Sequence, residues 1–384
     1  MTRIGRIDMA EATRLTREGR LEEALAVLRG APAATPDEGG QARPRPAGRI
    51  LDLLPPTATG DAWTMPEAPS AQRARGGAPA FEGLGSALGG MTARGRRPAV
   101  PVPPGARFEE RVHAGPAGQR PYKLYVPSRA GRGMPLVVML HGCTQSPDDF
   151  ALGTRMNELA EEEGLLVAYP EQTRAANAQR CWNWFNAADQ RRGEGEPALV
   201  AGIAREVLRD EGADPARVFV AGLSAGGAAA AVLGDAYPDL FAAVGVHSGL
   251  ACGAAADVAG AFAAMRQGGG AALPRGARGA VPTIAFHGDR DGTVSPVNGE
   301  EVVAQARGGA RLRTEVARGR SAGGQDFTRT VHRDGEGRAR LEHWLLHGAG
   351  HAWSGGSAQG SYTDPRGPDA SREMLRFFRE NGRG

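Results

Sequence analysis

Two patterns of apolar residues divide this chain into a short N-terminal part and a larger C-terminal part. In residues 1–30 the apolar positions recur at helical spacing, with Leu21, Leu25 and Leu28 on one face, which predicts one or two short amphipathic helices. Residues 31–104 are rich in Pro, Gly, Ala and Arg and contain few large apolar side chains. Such a segment buries too little surface to offset its ordering entropy, so a mostly disordered linker is expected there.

Beyond this linker the apolar segments become regularly spaced. Alternating apolar and polar residues at 108–112 and 122–126, around a Gly-Pro-Ala-Gly turn at 115–118, predict an antiparallel hairpin at the edge of a sheet. Uninterrupted apolar runs further on predict parallel strands that are covered on both faces. Strands are predicted at 135–140, 165–169, 217–223, 241–247, 281–286, 311–317, 327–333 and 340–346.

Amphipathic or Ala-rich segments follow most of these strands. Helices are predicted at 148–163, 196–210, 225–236, 255–267, 295–307 and 372–380. This alternation favours an α/β fold with a doubly wound, mainly parallel sheet, in one domain over residues 105–384. Catalytic groups in such sheets collect beyond the carboxyl ends of the strands, and the candidate residues below are sought there.

Composition and charge exclude several classes of function. The 384 residues include 41% hydrophobic and 23% charged residues, which is typical of a globular protein. The net charge is only +3 and no basic stripe with interleaved aromatic residues occurs, which argues against nucleic-acid binding. No apolar run reaches the ~18 residues that span a membrane. The N-terminus has no apolar signal-peptide core, so a cytoplasmic location is expected from the residues alone.

A Gly-x-Ser-x-Gly motif stands where the predicted strand 217–223 meets the predicted helix 225–236. A strand, a sharp turn with a serine and a helix together predict a nucleophile elbow, which makes Ser224 the candidate nucleophile. Gly222 and Gly226 would allow a bend too tight for side chains. The alternative interpretation is a glycine-rich turn that contains a serine by chance.

A histidine and a carboxylate are needed to activate such a serine. In α/β-hydrolases the chain order is Ser, then Asp or Glu, then His, each after a strand. Ser224, Asp291 and His351 match this order, and each follows a predicted strand. Asp289 is the alternative carboxylate. Asp291 is favoured because it projects farther from the strand, whereas Asp289, beside a glycine turn, is expected to bond its own backbone.

The oxyanion donors are sought in backbone amides next to the nucleophile. The candidates are the N–H of Ala225 and the N–H of Cys143, in the loop His141–Gln145 after an early strand. His141 is expected to brace that loop, and His247, at the end of a strand, is expected to be structural. No carboxylate partner is patterned for four further histidines, which are His113, His332, His343 and His347.

Tryptophans lie in two of the loops near the candidate catalytic residues. Trp182 and Trp184 belong to a Cys-Trp-Asn-Trp-Phe segment, and Trp353 follows His351 by two residues. Aromatic side chains more often serve the core than a ligand. Their position in loops nevertheless predicts that Trp182, Trp184 and Trp353 line a substrate pocket.

In combination these motifs resemble the polyhydroxybutyrate (PHB) depolymerase family of esterases. The segments that carry the resemblance are PLVVMLHGCTQ at 135–145, CWNWF at 181–185, GLSAG at 222–226, HSGL at 247–250, HGDRDGTV at 287–294 and GHAWSGG at 350–356. The resemblance implies an α/β-hydrolase fold and a serine carboxylic-ester hydrolase. It also implies the triad Ser224, Asp291 and His351, with Cys143 and Ala225 as oxyanion donors.

Members of this family act on short-chain polyhydroxyalkanoates, on feruloyl or acetyl esters of plant polysaccharide, or on small soluble esters. The reaction needs neither a metal nor an organic cofactor, and the expected partner is the ester substrate. Family members are often extracellular, which leaves the location open. The alternative from another class is a catalytically inactive hydrolase fold used for binding, against which the intact Ser–Asp–His set argues.

Three cysteines bear on the same loops. Cys143, Cys181 and Cys252 lack the spacing of a structural zinc site. Cys143 and Cys181 are predicted at the same sheet edge. A disulfide between them is an alternative to free thiols if the protein meets an oxidising compartment.

Deletion of residues 1–104 is expected to leave ester turnover within a few fold of that of the full chain, because this part lacks core-forming content. Initial rates on p-nitrophenyl butyrate at equal protein concentration measure this. Limited proteolysis of the full chain should cut first between 31 and 104. Loss of soluble protein on deletion would show instead that the N-terminal helices are part of the domain.

Overall fold

A computed structural model of the chain describes residues 99–270 and 281–383. The amphipathic helices predicted in residues 1–30 lie outside the described residues, as does all but the end of the linker predicted at 31–104. Within that end, Val100 packs against the hydrophobic core. Val100, which lies inside the predicted linker, is therefore part of the packed structure. Burial of its apolar side chain stabilises Val100 in this position. The proline-rich composition of the segment gave no sign of this contact.

Ten strands form one sheet with the order β1-β2-β4-β3-β5-β6-β7-β10-β9-β8. They are β1 (Arg107–Gly115), β2 (Gly118–Val126), β3 (Leu136–Leu140), β4 (Leu166–Pro170), β5 (Val218–Leu223), β6 (Ala243–His247), β7 (Thr283–Gly288), β8 (Arg313–Arg320), β9 (Asp326–Arg333) and β10 (Ala339–Leu346). A separate pair consists of β11 (Trp353–Ser354) and β12 (Thr363–Asp364).

Helices connect most of the strands. They are α1 (Pro147–Thr154), α2 (Met156–Glu163), α3 (Gly195–Asp210), α4 (Ala225–Ala236), α5 (Val258–Gln267), α6 (Val297–Arg307) and α7 (Ala370–Glu380), with a short 3-10 turn at Ala188–Gln190. Within residues 99–270 and 281–383, no helix is long and apolar enough to cross a membrane.

The sheet is mixed but mostly parallel, which confirms the predicted α/β class. Its six central strands, β4, β3, β5, β6, β7 and β10, run parallel to one another. The predicted hairpin of β1 and β2 is confirmed and joins one edge in antiparallel orientation. Strands β9 and β8 extend the other edge, also antiparallel. Burial on both faces explains why β3, β4 and β5 are uninterrupted apolar runs.

Side chains of the central strands divide between two cores. In β3, Leu136, Val138 and Leu140 pack on one side, whereas Val137 and Met139 pack on the other. This alternation follows from the two-residue repeat of a strand. Residues of α3, α4, α5 and α6 contribute to the first core, and residues of α1, α2 and α7 contribute to the second. The result is a sheet enclosed by two helical layers.

One helix predicted from the sequence is two helices in the structure. The segment predicted at 148–163 is broken at Arg155, whose φ of 57° ends α1 and begins α2. The carbonyl groups of Gly153 and Thr154 instead accept hydrogen bonds from Ser357 N–H and Ser371 Oγ–H, at 2.8 Å and 2.6 Å. Donors from distant parts of the chain thus replace the intrahelical donors at these two carbonyl groups. The periodicity of apolar residues alone does not reveal such a break in a helix.

Parallel orientation brings the loops after all six central strands to one edge of the sheet. Five of these loops leave the carboxyl ends of β3, β5, β6, β7 and β10, which are adjacent in the sheet. Their first residues are His141, Ser224, Ser248, Asp289 and His347. All the candidate catalytic residues therefore belong to one edge.

A buried carboxylate ties this sheet to α7. Glu342 in β10 is fully buried and accepts hydrogen bonds from Arg329 of β9 at 2.8 Å and 3.0 Å and from Arg376 of α7 at 2.8 Å. Trp344 Nε1–H donates to it at 3.0 Å. Burial raises the pKa of Glu342, but the two arginines outweigh this and hold the pKa below its usual range. The carboxylate therefore remains charged inside the protein.

Glu342→Gln is expected to lower the free energy of unfolding by about 3 kcal/mol, because Arg329 and Arg376 lose their counter-charge at a buried site. Urea unfolding followed by circular dichroism measures the change. The pairing stabilises fully above the unfolded-state pKa of about 4.3 and is lost as the pH falls through the lower folded-state pKa. Glu315→Gln, at an exposed pair with Arg333, is the matched control. Equal losses in the two variants would contradict this role of Glu342.

Candidate active site

Ser224 occupies a strained turn between β5 and α4. Its φ is 58° and its ψ is −121°, a conformation sparsely populated by residues that carry a Cβ. A Cβ on Gly222 would collide with the backbone of Gly226, and a Cβ on Gly226 would collide with the carbonyl of Leu140. Glycine is therefore required on both sides of the serine, as the motif predicted.

Two backbone amides near this serine suit an oxyanion. Helix α4 begins at Ala225, so the Ala225 N–H has no intrahelical acceptor. Within the described residues, neither this N–H nor that of Cys143 has a hydrogen-bond acceptor. The loop that carries Cys143 lies against the serine, since a Cβ on Gly142 would be 3.6 Å from Ser224 Cβ.

A disulfide anchors the Cys143 loop. Cys143 and Cys181 are bonded, which agrees with the disulfide that the sequence left open. Cys252 is a free, buried thiol. The Thr144 N–H also donates to the Gln179 carbonyl at 2.7 Å. The disulfide and this hydrogen bond thus both hold the candidate oxyanion loop to the neighbouring loop.

Gln145 is a supporting residue that the sequence analysis missed. Its side chain is buried, and its Oε1 accepts from the Gly142 N–H at 2.9 Å. Its Nε2 donates to Asp149 Oδ2 at 3.1 Å and to the Ser361 carbonyl at 3.0 Å. The sequence does contain a signal for this role. A polar side chain three residues after a glycine in a loop can hydrogen-bond the backbone of the turn.

His351 and Asp291 form a hydrogen-bonded pair. His351 Nδ1 lies 2.7 Å from Asp291 Oδ2, and the imidazole is largely buried. Asp291 Oδ1 also accepts from the N–H groups of Thr293 and Val294, at 2.9 Å and 2.8 Å. Burial raises the pKa of Asp291, but hydrogen bonds from His287 and His351 outweigh it and hold the pKa well below its usual range. Asp291 is therefore a fixed negative charge that orients the imidazole.

His247 connects the serine loop with the histidine loop. Its carbonyl accepts from the Ser224 N–H at 2.9 Å, and its Nε2 accepts from the Ser354 N–H at 3.0 Å. The ring is fully buried and stacks on Phe286 and on Trp353. Burial lowers its pKa to about 3, so the ring remains neutral. The structure agrees with the structural role predicted for it.

His141 likewise has the bracing role that the sequence predicted. Its Nδ1 bonds the Gly142 carbonyl at 2.8 Å, and its Nε2 accepts from the Gln172 N–H at 3.1 Å. Its own carbonyl accepts from Trp182 Nε1–H at 3.0 Å. Burial lowers the pKa of His141 to about 4, which keeps the ring neutral and both bonds intact.

Two of the histidines have carboxylate partners that the sequence analysis did not find. His347 Nδ1 lies 2.9 Å from Asp289 Oδ2, and His113 Nδ1 lies 2.7 Å from Glu206 Oε2. The expectation that Asp289 bonds its own backbone was also wrong, because its Oδ1 accepts from the Gly348 N–H at 2.7 Å. These partners come from other strands or helices, so local spacing could not reveal them.

The tryptophans predicted to line a pocket are core residues in this structure. Trp182, Trp184 and Trp353 are 0%, 6% and 1% exposed. Trp353 also donates from Nε1 to Ser371 Oγ at 3.0 Å. Side chains covered on all sides have no surface for a ligand, so the prediction of substrate contact was wrong for Trp182 and Trp353. Trp184, which packs edge-on against Phe185, offers little more surface.

No residues suited to a metal come together in the part of the chain that is described. Within residues 99–270 and 281–383, no group of three or more His, Cys, Asp or Glu side chains is placed to hold a metal ion.

Comparison with known proteins identifies the family. The model of the family "Esterase PHB depolymerase" matches residues 120–323. Poly(3-hydroxyalkanoate) depolymerase C of Paucimonas lemoignei is 32% identical over 238 residues, which are 59% of this chain and 57% of that protein. Feruloyl esterase B of Thermothelomyces thermophilus is 33% identical over 134 residues, 35% of this chain and 45% of that protein. The chain thus spans about half the length of these relatives.

A solved structure supports the fold. The acetyl xylan esterase from Aspergillus awamori superimposes with a TM-score of 0.57 at 22% identity, and the match covers 71% of this chain and 99% of that one. At this identity the likeness establishes the fold alone.

Asp291→Asn is expected to lower kcat by about 10⁴-fold, because an amide would favour the wrong tautomer of His351. Asp289→Asn is the matched control and should lower kcat by less than about tenfold, since Asp289 only ties His347 and Gly348 to the neighbouring loop. Steady-state rates on p-nitrophenyl butyrate, with circular dichroism to check folding, measure both. The reverse order of the two effects would contradict the assignment of Asp291.

Proposed function

Since the chain belongs to the esterase PHB depolymerase family, we propose that it hydrolyses carboxylic esters through an acyl-enzyme formed on Ser224. The observation that carries this proposal is the 2.7 Å bond between His351 and Asp291 at the sheet edge where Ser224 occupies its strained turn. A largely buried imidazole paired with a charged carboxylate, at the edge where a serine stands on a strained turn, supports the role of general base for His351.

The proposed reaction proceeds in two steps. Asp291 holds the proton of His351 on Nδ1, so Nε2 carries the lone pair that takes the proton of the Ser224 hydroxyl. The serine oxygen attacks the ester carbonyl, and His351 then delivers its proton to the leaving alcohol. In the second step His351 activates a water molecule, which releases the acid and regenerates Ser224. Neither step calls for a metal or an organic cofactor.

The developing oxyanion would be bound by the N–H groups of Cys143 and Ala225. Each is an amide without an acceptor in the described residues, and the two belong to loops in contact with each other. A pre-positioned donor of this kind is worth about 10²–10³-fold in kcat. The disulfide of Cys143 and the bond from Gly142 to Gln145 keep the loop in place, which reduces the reorganisation needed during the reaction.

For the substrate we propose short-chain polyhydroxyalkanoate or a related ester. The match to the polyhydroxyalkanoate depolymerase covers 59% of this chain, against 35% for the feruloyl esterase. The second candidate is a feruloyl or acetylxylan ester, which the feruloyl esterase relative supports. Rates on soluble hydroxybutyrate oligomers, PHB film and methyl ferulate distinguish these substrates. No hydrolysis of these or of p-nitrophenyl butyrate would favour the inactive binding protein.

Ser224→Ala is expected to lower kcat on p-nitrophenyl butyrate by about 10⁴-fold or more, because the triad acts as a unit. Covalent labelling by a fluorophosphonate should disappear with it. Ser128→Ala is the matched control: Ser128 follows β2, at the opposite edge of the sheet from Ser224, and bonds only Glu161. Labelling that persists in Ser224→Ala would show that the nucleophile lies elsewhere.

A further inference from the structure

Two exposed hydroxyl groups meet beside the candidate oxyanion loop. Thr144 directly follows Cys143, and its Oγ1 lies 3.3 Å from the hydroxyl oxygen of Tyr362, which is 218 residues away in the chain. Thr144 is exposed, and Tyr362 is 37% exposed. The four other tyrosines are at most 2% exposed. Burial therefore does not account for the position of Tyr362.

Thr144 and Tyr362 both have a positive φ, a backbone conformation that is unfavourable for residues with such side chains. The φ of Thr144 is 67° and that of Tyr362 is 53°. For a β-branched or bulky side chain a positive φ is an outlier and costs on the order of 1–3 kcal/mol. Such strain persists only where the surroundings enforce it, and it is concentrated at functional sites.

Buried side chains enforce this arrangement. Gln145 bridges the two loops by donating to the Ser361 carbonyl at 3.0 Å, and Asp149 accepts from the Ser361 N–H at 3.1 Å. The Tyr362 carbonyl accepts from the Trp353 N–H at 2.7 Å, which connects it to the loop of His351. The two hydroxyls are thus held next to each other on rigid supports, on loops that also carry Cys143 and follow His351.

We propose that the hydroxyl groups of Thr144 and Tyr362 form a subsite that binds an uncharged hydroxyl or ester oxygen of the substrate, next to the ester that is cleaved. The proposal rests on the proposed esterase function. Gly142, two residues before Thr144, lies against Ser224, and two residues span at most about 7 Å. The subsite would therefore reach a group only a few bonds from the reacting carbonyl.

The hydrogen-bonding capacity of the Thr144 and Tyr362 hydroxyl groups determines which ligand the subsite would bind. Each hydroxyl can donate one hydrogen bond and accept others, and neither carries a charge. One hydroxyl of the pair donates to the other, which leaves one O–H free for a ligand. A hydroxyl or ester oxygen can accept from it in place of water, whereas a plain alkyl group would leave this donor unsatisfied. Such an oxygen can belong to the acyl part of the substrate or to its alcohol part, and the experiment must distinguish the two.

The test compares kcat/KM for three esters. Ethyl 3-hydroxybutyrate carries the extra hydroxyl on the acyl side, 2-hydroxyethyl butyrate carries it on the alcohol side, and ethyl butyrate lacks it. We expect the unmodified protein to prefer one hydroxylated ester over ethyl butyrate. Thr144→Val and Tyr362→Phe should each reduce that preference by about three- to tenfold, mainly through KM, so that kcat/KM falls more on the preferred hydroxylated ester than on ethyl butyrate.

Thr314→Val is the matched control, because it removes a hydroxyl from the exposed edge strand β8 and should leave the preference unchanged. An unmodified protein without a preference overturns the subsite, as do variants that keep the full preference. Equal losses on all three esters would show that Thr144 and Tyr362 only support the structure, which also overturns it. Failure of the unmodified protein to cleave any ester would instead refute the esterase function itself.

Discussion

The bend of the backbone at Ser224 is the constraint on which the site depends. A positive φ at a serine is unfavourable, and it is held because no side chain stands between Gly222, Gly226 and the carbonyl of Leu140. The bend ends a buried strand and begins a helix within one residue, so the serine and the first amide of α4 point beyond the same sheet edge. A side chain at either glycine would force these elements apart.

Around this turn, buried neutral histidines act as structural connectors rather than as acids or bases. His247 accepts one bond from the serine loop and one from the loop of His351, and His141 secures the loop of Cys143. Because burial lowers the pKa of the His247 and His141 rings to about 3 and about 4, both rings stay neutral and keep their hydrogen bonds at neutral pH. His351, beside a buried carboxylate and partly accessible, is the histidine proposed for proton transfer.

The loop after β7 shows how two similar carboxylates take different roles. Asp291 is buried and accepts two backbone bonds, so it can orient His351 as a fixed charge. Asp289 is half-exposed and pairs with His347, a bond weakened by solvent. The two pairs hold the same two loops together, and only the buried one belongs to the proposed mechanism. Depth below the surface, rather than residue type, separates the pair proposed to be catalytic from the bracing pair.

The sequence alone determined the class of fold and the order Ser224, Asp291, His351, because apolar periodicity and a glycine-flanked serine are local features of the chain. Tertiary structure decided what depends on distant partners. It paired Asp289 with His347, broke the helix at Arg155, buried Trp182 and Trp353, and brought Tyr362 to Thr144. These contacts join residues up to 218 positions apart. Their energies come from burial and hydrogen bonding between separate elements, which no pattern along the chain encodes.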